Sequence, residues 1–373
     1  MKCKLGALCS YVKEKVKTET LDKKNYISTE NMLPNKGGIT LASSLPSTEY
    51  TSKYQAGDIL ISNIRPYFKK IWKAEYDGGC SNDVLVLRTK DDCYIDFLYY
   101  ALASDSFFDY ATATAKGTKM PRGDKTAIMD FEVPYFDFKI QVHIAGILKS
   151  LDEKIALNNK INENLERQAQ AIFYRYFIDI DKIPDGWSVG CLLDIADYRN
   201  GLAMQKYRPA TGEVGLPVLK IKELRQGNCD AMSELCSPNI NTDYIVCDGD
   251  VVFSWSGSLL VDLWCGGTCG LNQHLFKVTS AKYDKWFYYL WTKYYLDRFV
   301  AIAADKATTM GHIKREELSK AEVIIPSSQD YQEIGAALRP MIDLIIANRI
   351  ENRKLAALRD MLLPKLMAGE IDI

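Results

Sequence analysis

Two stretches of the chain show a regular alternation of apolar and polar positions, and each predicts a long helix. In the first stretch, one face repeats in steps of four and three residues, at Ile144, Leu148, Leu151, Ile155, Asn158, Asn162, Leu165, Ala169 and Ile172. The second stretch repeats these steps at Ile334, Leu338, Met341, Ile345, Asn348, Asn352, Leu355, Arg359 and Leu362. A sustained four-three alternation is typical of a coiled-coil seam, whereas a helix lying on a domain shows a wider apolar stripe. We therefore expect the two helices to pair with each other, antiparallel.

Each predicted seam carries two consecutive polar positions, Asn158 and Asn162 in the first helix and Asn348 and Asn352 in the second. Asparagine in an apolar seam lowers stability and fixes register. We therefore interpret these four residues as setting the register of the helix pair. Pro340 lies near the start of the second helix, and we expect it to kink that helix or to mark its true beginning.

The chain also repeats itself at an interval of about 190 residues, which indicates a duplication. Glu132 and Val133 recur as Glu322 and Val323, and the segment 57–60 recurs at 249–252. Short strands are predicted in both copies, at Asp58–Ser62, Asp83–Arg88 and Phe131–Tyr135 and again at Asp250–Ser254, His274–Val278 and Ala321–Ile325. One aromatic helix is predicted inside each copy, at Ile95–Tyr110 and Lys285–Ile302, with its rings in the core.

These elements predict an α+β protein made of two duplicated α/β domains and two long helices that form an antiparallel coiled coil. The domains are expected at 1–139 and 178–328, and the helical spacers at 140–177 and 329–373. The 373 residues, 47% hydrophobic and 25% charged, fit two globular domains. No apolar run reaches the roughly 20 residues that a membrane span needs, and the N-terminus is unlike a secretory signal, so we expect a cytoplasmic protein without a membrane partner.

The ten cysteines are scattered, which favours reduced thiols over a disulfide framework. Cys265 and Cys269, with His274 nearby, lack a second close pair of ligands, so no metal site is predicted. The net charge is −1, but basic residues cluster at 53–73, 116–125 and 199–225, with Tyr67, Trp72 and Tyr207 among them. A single basic cluster is usually solvated surface; recurrence in both copies favours a nucleic-acid interface.

Catalytic motifs are missing from the sequence. There is no Pro-Pro dipeptide of the kind that amino-methyltransferases use, no Gly-Lys-Ser/Thr phosphate loop, and no acidic residue two positions before a lysine after Pro184-Asp185. Only three histidines are present. We therefore expect no enzyme activity and no cofactor. A non-catalytic coiled-coil scaffold that binds protein, or a stand-alone DNA-binding protein, remains an alternative.

The whole pattern resembles the specificity subunit of Type I restriction-modification systems. The resemblance covers essentially the full chain and includes the segments Gly57–Leu60 and Gly117–Arg122 and the terminal stretch Leu362–Ile373. It implies two target-recognition domains that each read one half of a bipartite, asymmetric site in double-stranded DNA. It also implies that two methyltransferase (modification) subunits dock on the helices, that restriction (motor and nuclease) subunits join through that core, and that catalysis lies on these partners. A helix of about 35 residues spans roughly 50 Å, or about one to one and a half turns of duplex.

The expected DNA contacts lie on loops at the ends of the predicted strands. Our first choice is the loop before the last strand of each copy, with Lys116, Thr118, Lys119, Arg122, Thr308, Thr309, His312, Lys314 and Arg315. Our second choice follows an earlier strand, with Arg65, Tyr67, Lys69, Lys70, Trp255 and Ser256; Gln273 is a weaker candidate, together with His274. Phosphate contacts would position the protein and base contacts would specify sequence.

Overall fold

A computed structural model describes residues 2–305 and 311–371. The chain forms two compact units, which we call unit 1 (Met1–Glu153 with Ala356–Ile373) and unit 2 (Lys154–Leu355). Within the described ranges, no helix is long and apolar enough to cross a bilayer.

Unit 1 contains short strands and helices followed by the start of a long helix. Its strands are β1 (Lys2–Lys4), β2 (Cys9–Tyr11), β3 (Lys15–Lys17), β4 (Tyr26–Ile27), β5 (Tyr50–Tyr54), β6 (Ile59–Ser62), β7 (Ile71–Lys73), β8 (Gly78–Cys80), β9 (Val84–Thr89) and β10 (Glu132–Pro134). Its helices are α1 (Leu5–Leu8), α2 (Ile95–Leu102), α3 (Asp105–Ala113), α4 (Lys125–Met129) and the first part of α5 (Phe138–Phe173), and 3-10 turns occur at Thr18–Thr20 and Pro66–Phe68.

Two four-stranded sheets and the two-stranded pair β1-β10 make up the β structure of unit 1. One has the order β2-β9-β6-β7 and is antiparallel throughout, and the other has the order β3-β5-β8-β4, in which β4 is parallel to β8. Strand β6 is buried along its whole length because its residues are almost all apolar, and burial of such a run drives the sheet into the core. Helices α2 and α3 pack their aromatic side chains into this core, as does the C-terminal helix through Leu363, Leu366 and Met367.

Unit 2 repeats this plan. Its strands are β11 (Ser188–Cys191), β12 (Asp197–Asn200), β13 (Leu216–Leu219), β14 (Leu235–Cys236), β15 (Ile245–Val246), β16 (Val251–Ser254), β17 (Leu260–Leu263), β18 (Cys269–Leu271), β19 (Leu275–Thr279) and β20 (Glu322–Ile325). Its helices are α6 (Leu192–Ile195), α7 (Ile221–Gln226), α8 (Lys285–Tyr294), α9 (Leu296–Asp305), α10 (Arg315–Ser319) and most of α11 (Ser328–Ala368), and α5 ends here in a π turn at Tyr174–Ile178. Short 3-10 turns occur at Met204–Lys206 and Thr242–Tyr244.

The strand order confirms the predicted duplication. The sheet β12-β19-β16-β17 matches β2-β9-β6-β7, and the pair β11-β20 matches β1-β10. The second sheets share three strands: a central strand (β8 or β18), a parallel neighbour (β4 or β13) and an antiparallel neighbour (β5 or β15). The fourth strand differs, since β3 extends the antiparallel side in unit 1 and β14 extends the parallel side in unit 2. The sheets of the two copies thus share a frame and differ at one edge.

The six predicted strands are present, but the prediction of one continuous aromatic helix in each copy is wrong. In unit 1, Ser104 adopts an extended backbone and its side chain accepts a hydrogen bond from the Phe107 amide, so it caps α3 and separates it from α2. In unit 2 the break falls at Tyr295, between α8 and α9. The expectation that the aromatic rings fill the core is confirmed in both units.

The two long helices are present, with 36 residues in α5 and 41 in α11. Helix α11 begins at Ser328 and continues through Pro340, so the interpretation of Pro340 as the true beginning of the helix is wrong. In unit 2, Asn158 forms a hydrogen bond with Asn352, and Asn162 forms one with Asn348. Residue numbers therefore increase along α5 as those of their partners decrease along α11, which is an antiparallel pairing. In unit 1, Asp152 accepts a hydrogen bond of 2.6 Å from Arg359, and this contact follows the same antiparallel order. The predicted antiparallel pairing is confirmed.

Candidate nucleic-acid interface

In unit 1 the structure brings together the two loops that we singled out as DNA-facing. The Arg65 amide donates to the Pro121 carbonyl at 2.8 Å, and the Gly123 amide donates to the Asn63 carbonyl at 3.0 Å. Lys116 and Arg122 close the second loop with two backbone hydrogen bonds of 2.8 and 2.9 Å. The segments 63–70 and 116–122 therefore form one surface, which we call the unit 1 loop cluster together with residues 35 and 36.

The backbone of this cluster is held in a costly conformation. The non-glycine residues with positive φ among residues 2–305 and 311–371 are Asn35, Lys36, Arg65 and Lys69, with φ of 54°, 62°, 50° and 52°. The Asn35 amide donates to the Phe68 carbonyl and the Lys36 amide to the Lys69 carbonyl, both at 2.8 Å, so the strained residues support one another. Each left-handed non-glycine residue costs on the order of 1–3 kcal/mol, and such strain concentrates at functional sites.

The cations of the cluster differ in how they are partnered. Lys116 Nζ lies 2.5 Å from Asp124, Arg122 Nη2 lies 3.1 Å from Asp83, and Lys69 Nζ lies 2.8 Å from Asp105. The hydrogen bond from Lys116 holds the pKa of Asp124 below its usual range, and the bond from Lys69 does the same for the pKa of Asp105. One partner of each pair is more than half exposed, and ion pairs in contact with solvent contribute little to stability.

Three further candidate residues of unit 1 fall into two groups. Thr118 and Lys119 are fully on the surface, and Lys119 has no ion pair within the described part of the chain. Lys70 points inward instead: its Nζ donates to the Thr29 carbonyl at 2.6 Å, and burial lowers its pKa. Lys119 therefore lies in solvent, whereas Lys70 is tied to the backbone of Thr29.

Unit 2 pairs the equivalent loops in the same way. The Gly257 amide donates to the Gly311 carbonyl at 2.8 Å, the Ile313 amide donates to the Trp255 carbonyl at 3.0 Å, and Ser256 and His312 form a β-bridge. A serine hydroxyl shapes the turn in each copy, since Ser62 Oγ donates to the Ile64 carbonyl at 3.1 Å and Ser254 Oγ donates to the Ser256 carbonyl at 3.2 Å. Two candidates, Thr308 and Thr309, lie outside the described residues.

The side chains of the unit 2 loops differ from those of unit 1. Ser256 is only 4% exposed and its hydroxyl lies 3.0 Å from His274 Nδ1, so the fold places it against that imidazole; a direct DNA contact by Ser256 stays a prediction. Gln273 Nε2 lies 3.3 Å from His274 Nε2. Trp255 is half-buried against Phe276 and donates from Nε1 to Asn200 Oδ1 at 2.9 Å.

The start of α10 supplies two cations next to the unit 2 loops. Lys314 is exposed directly before the helix, and Arg315 is the first residue of the helix. Arg315 donates to the Tyr198 carbonyl at 3.1 Å and lies 3.5 Å from Asp197. These two residues therefore follow directly after the loop that carries His312.

Sequence reasoning missed three residues of these surfaces: Asp83, Phe68 and Asn200. Asp83 holds Arg122 and occupies the place that His274 takes in unit 2, a correspondence that the repeat could have revealed. Phe68 lies beside Tyr67 on the surface. It was missed because a hydrophobic side chain is expected in the core. Asn200 accepts a hydrogen bond from Trp255, which lies far away in the sequence, so no local sequence pattern could indicate this contact.

The four seam asparagines bond across the helix pair inside unit 2. Asn158 Nδ2 donates to Asn352 Oδ1 at 2.9 Å and to Glu351 at 2.6 Å, and Asn348 Nδ2 donates to Asn162 Oδ1 at 2.9 Å. Asn158 Oδ1 is buried with no hydrogen-bond partner within the described ranges. Such an orphan acceptor costs about 1–3 kcal/mol, so this seam is not arranged for maximal stability.

Comparison with known proteins agrees with this duplicated architecture. The family model for the Type I restriction modification DNA specificity domain matches residues 3–167 and again residues 184–358. The chain belongs to this family. Its two specificity domains thus coincide with the two copies found in the sequence.

Relatives of this specificity protein include the Type I restriction enzyme MjaIX specificity subunit of Methanocaldococcus jannaschii, 26% identical over 76% of this chain and 71% of the relative. The HindI specificity subunit of Haemophilus influenzae is 24% identical over 93% of this chain and 94% of the relative. The crystal structure of the S subunit of the Type I restriction-modification system from M. genitalium superposes with a TM-score of 0.60 at 16% identity, covering 100% of this chain and 96% of that one. That last likeness concerns the fold.

Proposed function

We propose that this specificity protein is a non-catalytic subunit that selects the DNA site for a Type I modification and restriction complex. Unit 1 binds one half of a bipartite, asymmetric duplex site and unit 2 binds the other. Two methyltransferase subunits dock on the protein and restriction subunits join through them, so methyl transfer and cleavage lie on partners. Because its substrate is cellular or incoming DNA, the complex acts in the cytoplasm.

One observation carries this proposal: the same pair of loops is joined by the same backbone hydrogen bonds in both units, but it presents different side chains. Unit 1 presents Arg122 paired with Asp83, whereas unit 2 presents His312 and His274 at the corresponding places. A conserved frame with altered side chains suits two readers of different half-sites, because base-edge readout depends on which donors and acceptors reach the groove. A scaffold would not need this difference.

Methylation sequencing tests the proposal. The chain is produced in a host lacking other DNA methylation, together with a partner methyltransferase subunit. The expected result is methylation of one bipartite sequence with two defined halves and an undefined gap. Methylation that is absent, or that keeps its sequence when this chain is removed, would refute the proposal.

A gel shift at two salt concentrations separates a DNA reader from a protein scaffold. A reader that contacts phosphates loses affinity steeply as salt rises, because bound cations release counterions from the duplex. This chain, tested with and without a methyltransferase partner, should show this dependence on the methylated sequence. Salt-independent or undetectable binding would favour the scaffold.

A further inference from the structure

We propose that Tyr67 and Phe68 form an aromatic wedge that inserts against the base stack in the half-site bound by unit 1. This inference rests on the proposed function, and it adds a local distortion of DNA at one half-site only. The wedge is the 3-10 turn Pro66–Phe68, which leads out of β6 into the loop cluster.

Both rings are exposed to solvent and lie side by side. Tyr67 is 47% exposed and Phe68 is 38% exposed, and their ring centroids lie 4.7 Å apart. Pro66, at the start of the turn, is buried and anchors it. The Tyr67 hydroxyl has no hydrogen-bond partner within the described ranges. The turn therefore presents two neighbouring, partly exposed rings to solvent, with Lys70 Nζ 5.9 Å from the centroid of the Phe68 ring.

The turn is held rigidly enough to act as a wedge. Left-handed residues bound it on both sides, Arg65 with φ of 50° and Lys69 with φ of 52°. Backbone hydrogen bonds of 2.8 Å tie Arg65 to Pro121 and Phe68 to Asn35. An aromatic side chain that is already fixed loses little conformational entropy on binding.

The charges around the rings identify the partner as nucleic acid. The loop cluster carries four cations: Lys36, Lys69, Lys119 and Arg122. The first two each form an ion pair with the same exposed carboxylate, that of Asp105. Proteins that bend DNA insert apolar side chains between base steps while neighbouring cations hold the phosphates. Aromatic rings additionally stack on bases without sequence preference.

Unit 2 lacks the wedge at the corresponding position. Its loop continues after Ser258 with Leu259 and Leu260, which are partly buried and pack on the core of unit 2. The aromatic residue of that loop, Trp255, is fixed by Asn200 and Phe276. We therefore expect unstacking in one half-site and not in the other.

The experiment uses the complex with the methyltransferase and duplexes of the sequence found by methylation sequencing. A single 2-aminopurine replaces one base at successive positions in either half-site, leaving out the methylated base so that its own movement does not contribute. The wild type is compared with Tyr67→Ala/Phe68→Ala and with Tyr67→Phe. Tyr50→Ala, which removes another exposed tyrosine of unit 1, is the matched control.

The expected result is a several-fold rise in 2-aminopurine fluorescence at one step of the unit 1 half-site, lost in the double variant and kept in the Tyr67→Phe and Tyr50→Ala variants. The double variant should bind about tenfold or more weakly, with an unchanged salt slope because no charge is removed. Thermal unfolding checks that the variants fold, as expected for exposed residues.

Several outcomes would overturn the wedge while leaving the proposed function intact. One is wild-type fluorescence and affinity in the double variant. Another is a loss reproduced by Tyr67→Phe, which would indicate a hydroxyl contact with phosphate. A third is normal DNA binding with impaired assembly with the methyltransferase, which would make the rings a protein interface. Failure of the proposed function would appear earlier, as the absence of any directed methylation.

Discussion

The individual cations of the unit 1 loop cluster differ in the ion pairs that they would give up on binding DNA. Lys119 gives up no ion pair within the described ranges, whereas Arg122 must share its charge between Asp83 and a new partner. An exposed ion pair contributes little to stability, so the exchange of Asp83 for a phosphate is inexpensive. These two residues therefore test the DNA-facing assignment most directly.

Replacing Lys119 and Arg122 by Ala should weaken DNA binding by the complex. If the side chains touch phosphates, affinity falls for all sequences and the salt slope decreases by about one per contact; if they touch bases, discrimination at one half-site relaxes by roughly 1–3 kcal/mol per good pair. Binding is measured at several salt concentrations on sites altered in one half or the other.

The matched control removes two exposed lysines of unit 1 that lie outside the cluster, Lys23 and Lys139. It should leave the salt slope nearly unchanged. In the Lys119/Arg122 variant, discrimination at the half-site of unit 2 should stay intact. Loss of discrimination in both halves of a folded protein would contradict independent reading.

The Ser256 hydroxyl offers a second test at this scale, in unit 2. Ser256→Ala removes the hydrogen bond to His274 Nδ1 and should release the imidazole. The expected cost is about 0.5–1.5 kcal/mol in discrimination at the unit 2 half-site, the net value of a single hydrogen bond, with no change in salt slope. Competition binding against half-site variants measures it. Ser319→Ala on α10 is the control, and equal effects of the two substitutions would remove His274 from the reading surface.

At the scale of elements, the seam of α5 and α11 combines apolar contacts with bonded asparagines. Replacing Asn158, Asn162, Asn348 and Asn352 by Leu removes the unpartnered acceptor of Asn158 and should preserve or raise the melting temperature. The apolar seam no longer specifies one register, so methylation of the normal site should become slower or shift to a different gap length.

Thermal unfolding and methylation sequencing of this variant provide the two measurements. Leu165→Ile, a conservative change elsewhere in the seam, is the control. Full methylation of the unaltered site with wild-type kinetics would show that the asparagines do not set register.

Helix α11 is also clamped within unit 2 by Arg353. Its guanidinium makes two bonds of 2.7 Å to Asp248 and one of 2.6 Å to the Cys265 carbonyl. The hydrogen bonds from Arg353 lower the pKa of Asp248. Arg353→Ala should therefore reduce the free energy of unfolding of unit 2 by about 1–3 kcal/mol at neutral pH.

The sign of the pH dependence follows from the lowered pKa of Asp248. Its contribution is present above the unfolded-state value near pH 4 and is lost as the pH falls through the lower folded-state value. The difference between wild type and variant should shrink on acidification below about pH 4. Urea unfolding across pH measures this, with the exposed Arg298→Ala as control; a difference independent of pH would exclude the ion pair as its source.

The sequence predicted these elements unevenly, for physical reasons. Buried strands such as β6 and β16 leave short apolar runs and the four-three seams leave a periodic pattern, so both were found. The break at Ser104 was missed because a single capping side chain outweighed a continuous aromatic pattern. Pro340 was misread because a long helix packed along its length tolerates one missing amide. The pairing of loops through Arg65 and Pro121 joins distant segments and leaves no local pattern.

At the scale of the whole molecule, the proposed division of labour predicts that the purified chain is inert. Incubated with DNA, magnesium, ATP and labelled S-adenosylmethionine, it should transfer no label and cut no DNA. Adding the methyltransferase subunit should restore label transfer to the bipartite site. Label transfer by the chain without any partner would show that it is an enzyme after all.

Unit 1 is built from two separate chain segments, and this has a consequence for folding during translation. Leu363, Leu366 and Met367 complete the core around Phe97 and Leu148, yet the ribosome delivers them only after all of unit 2. At roughly 5–20 residues per second, the intervening ~200 residues take about 10–40 s to synthesise. The part of the protein translated first is therefore finished last, and its nascent core stays open meanwhile. A stop codon just before Ala356 would therefore destabilise unit 1, which contains the start of the chain, and leave unit 2 intact.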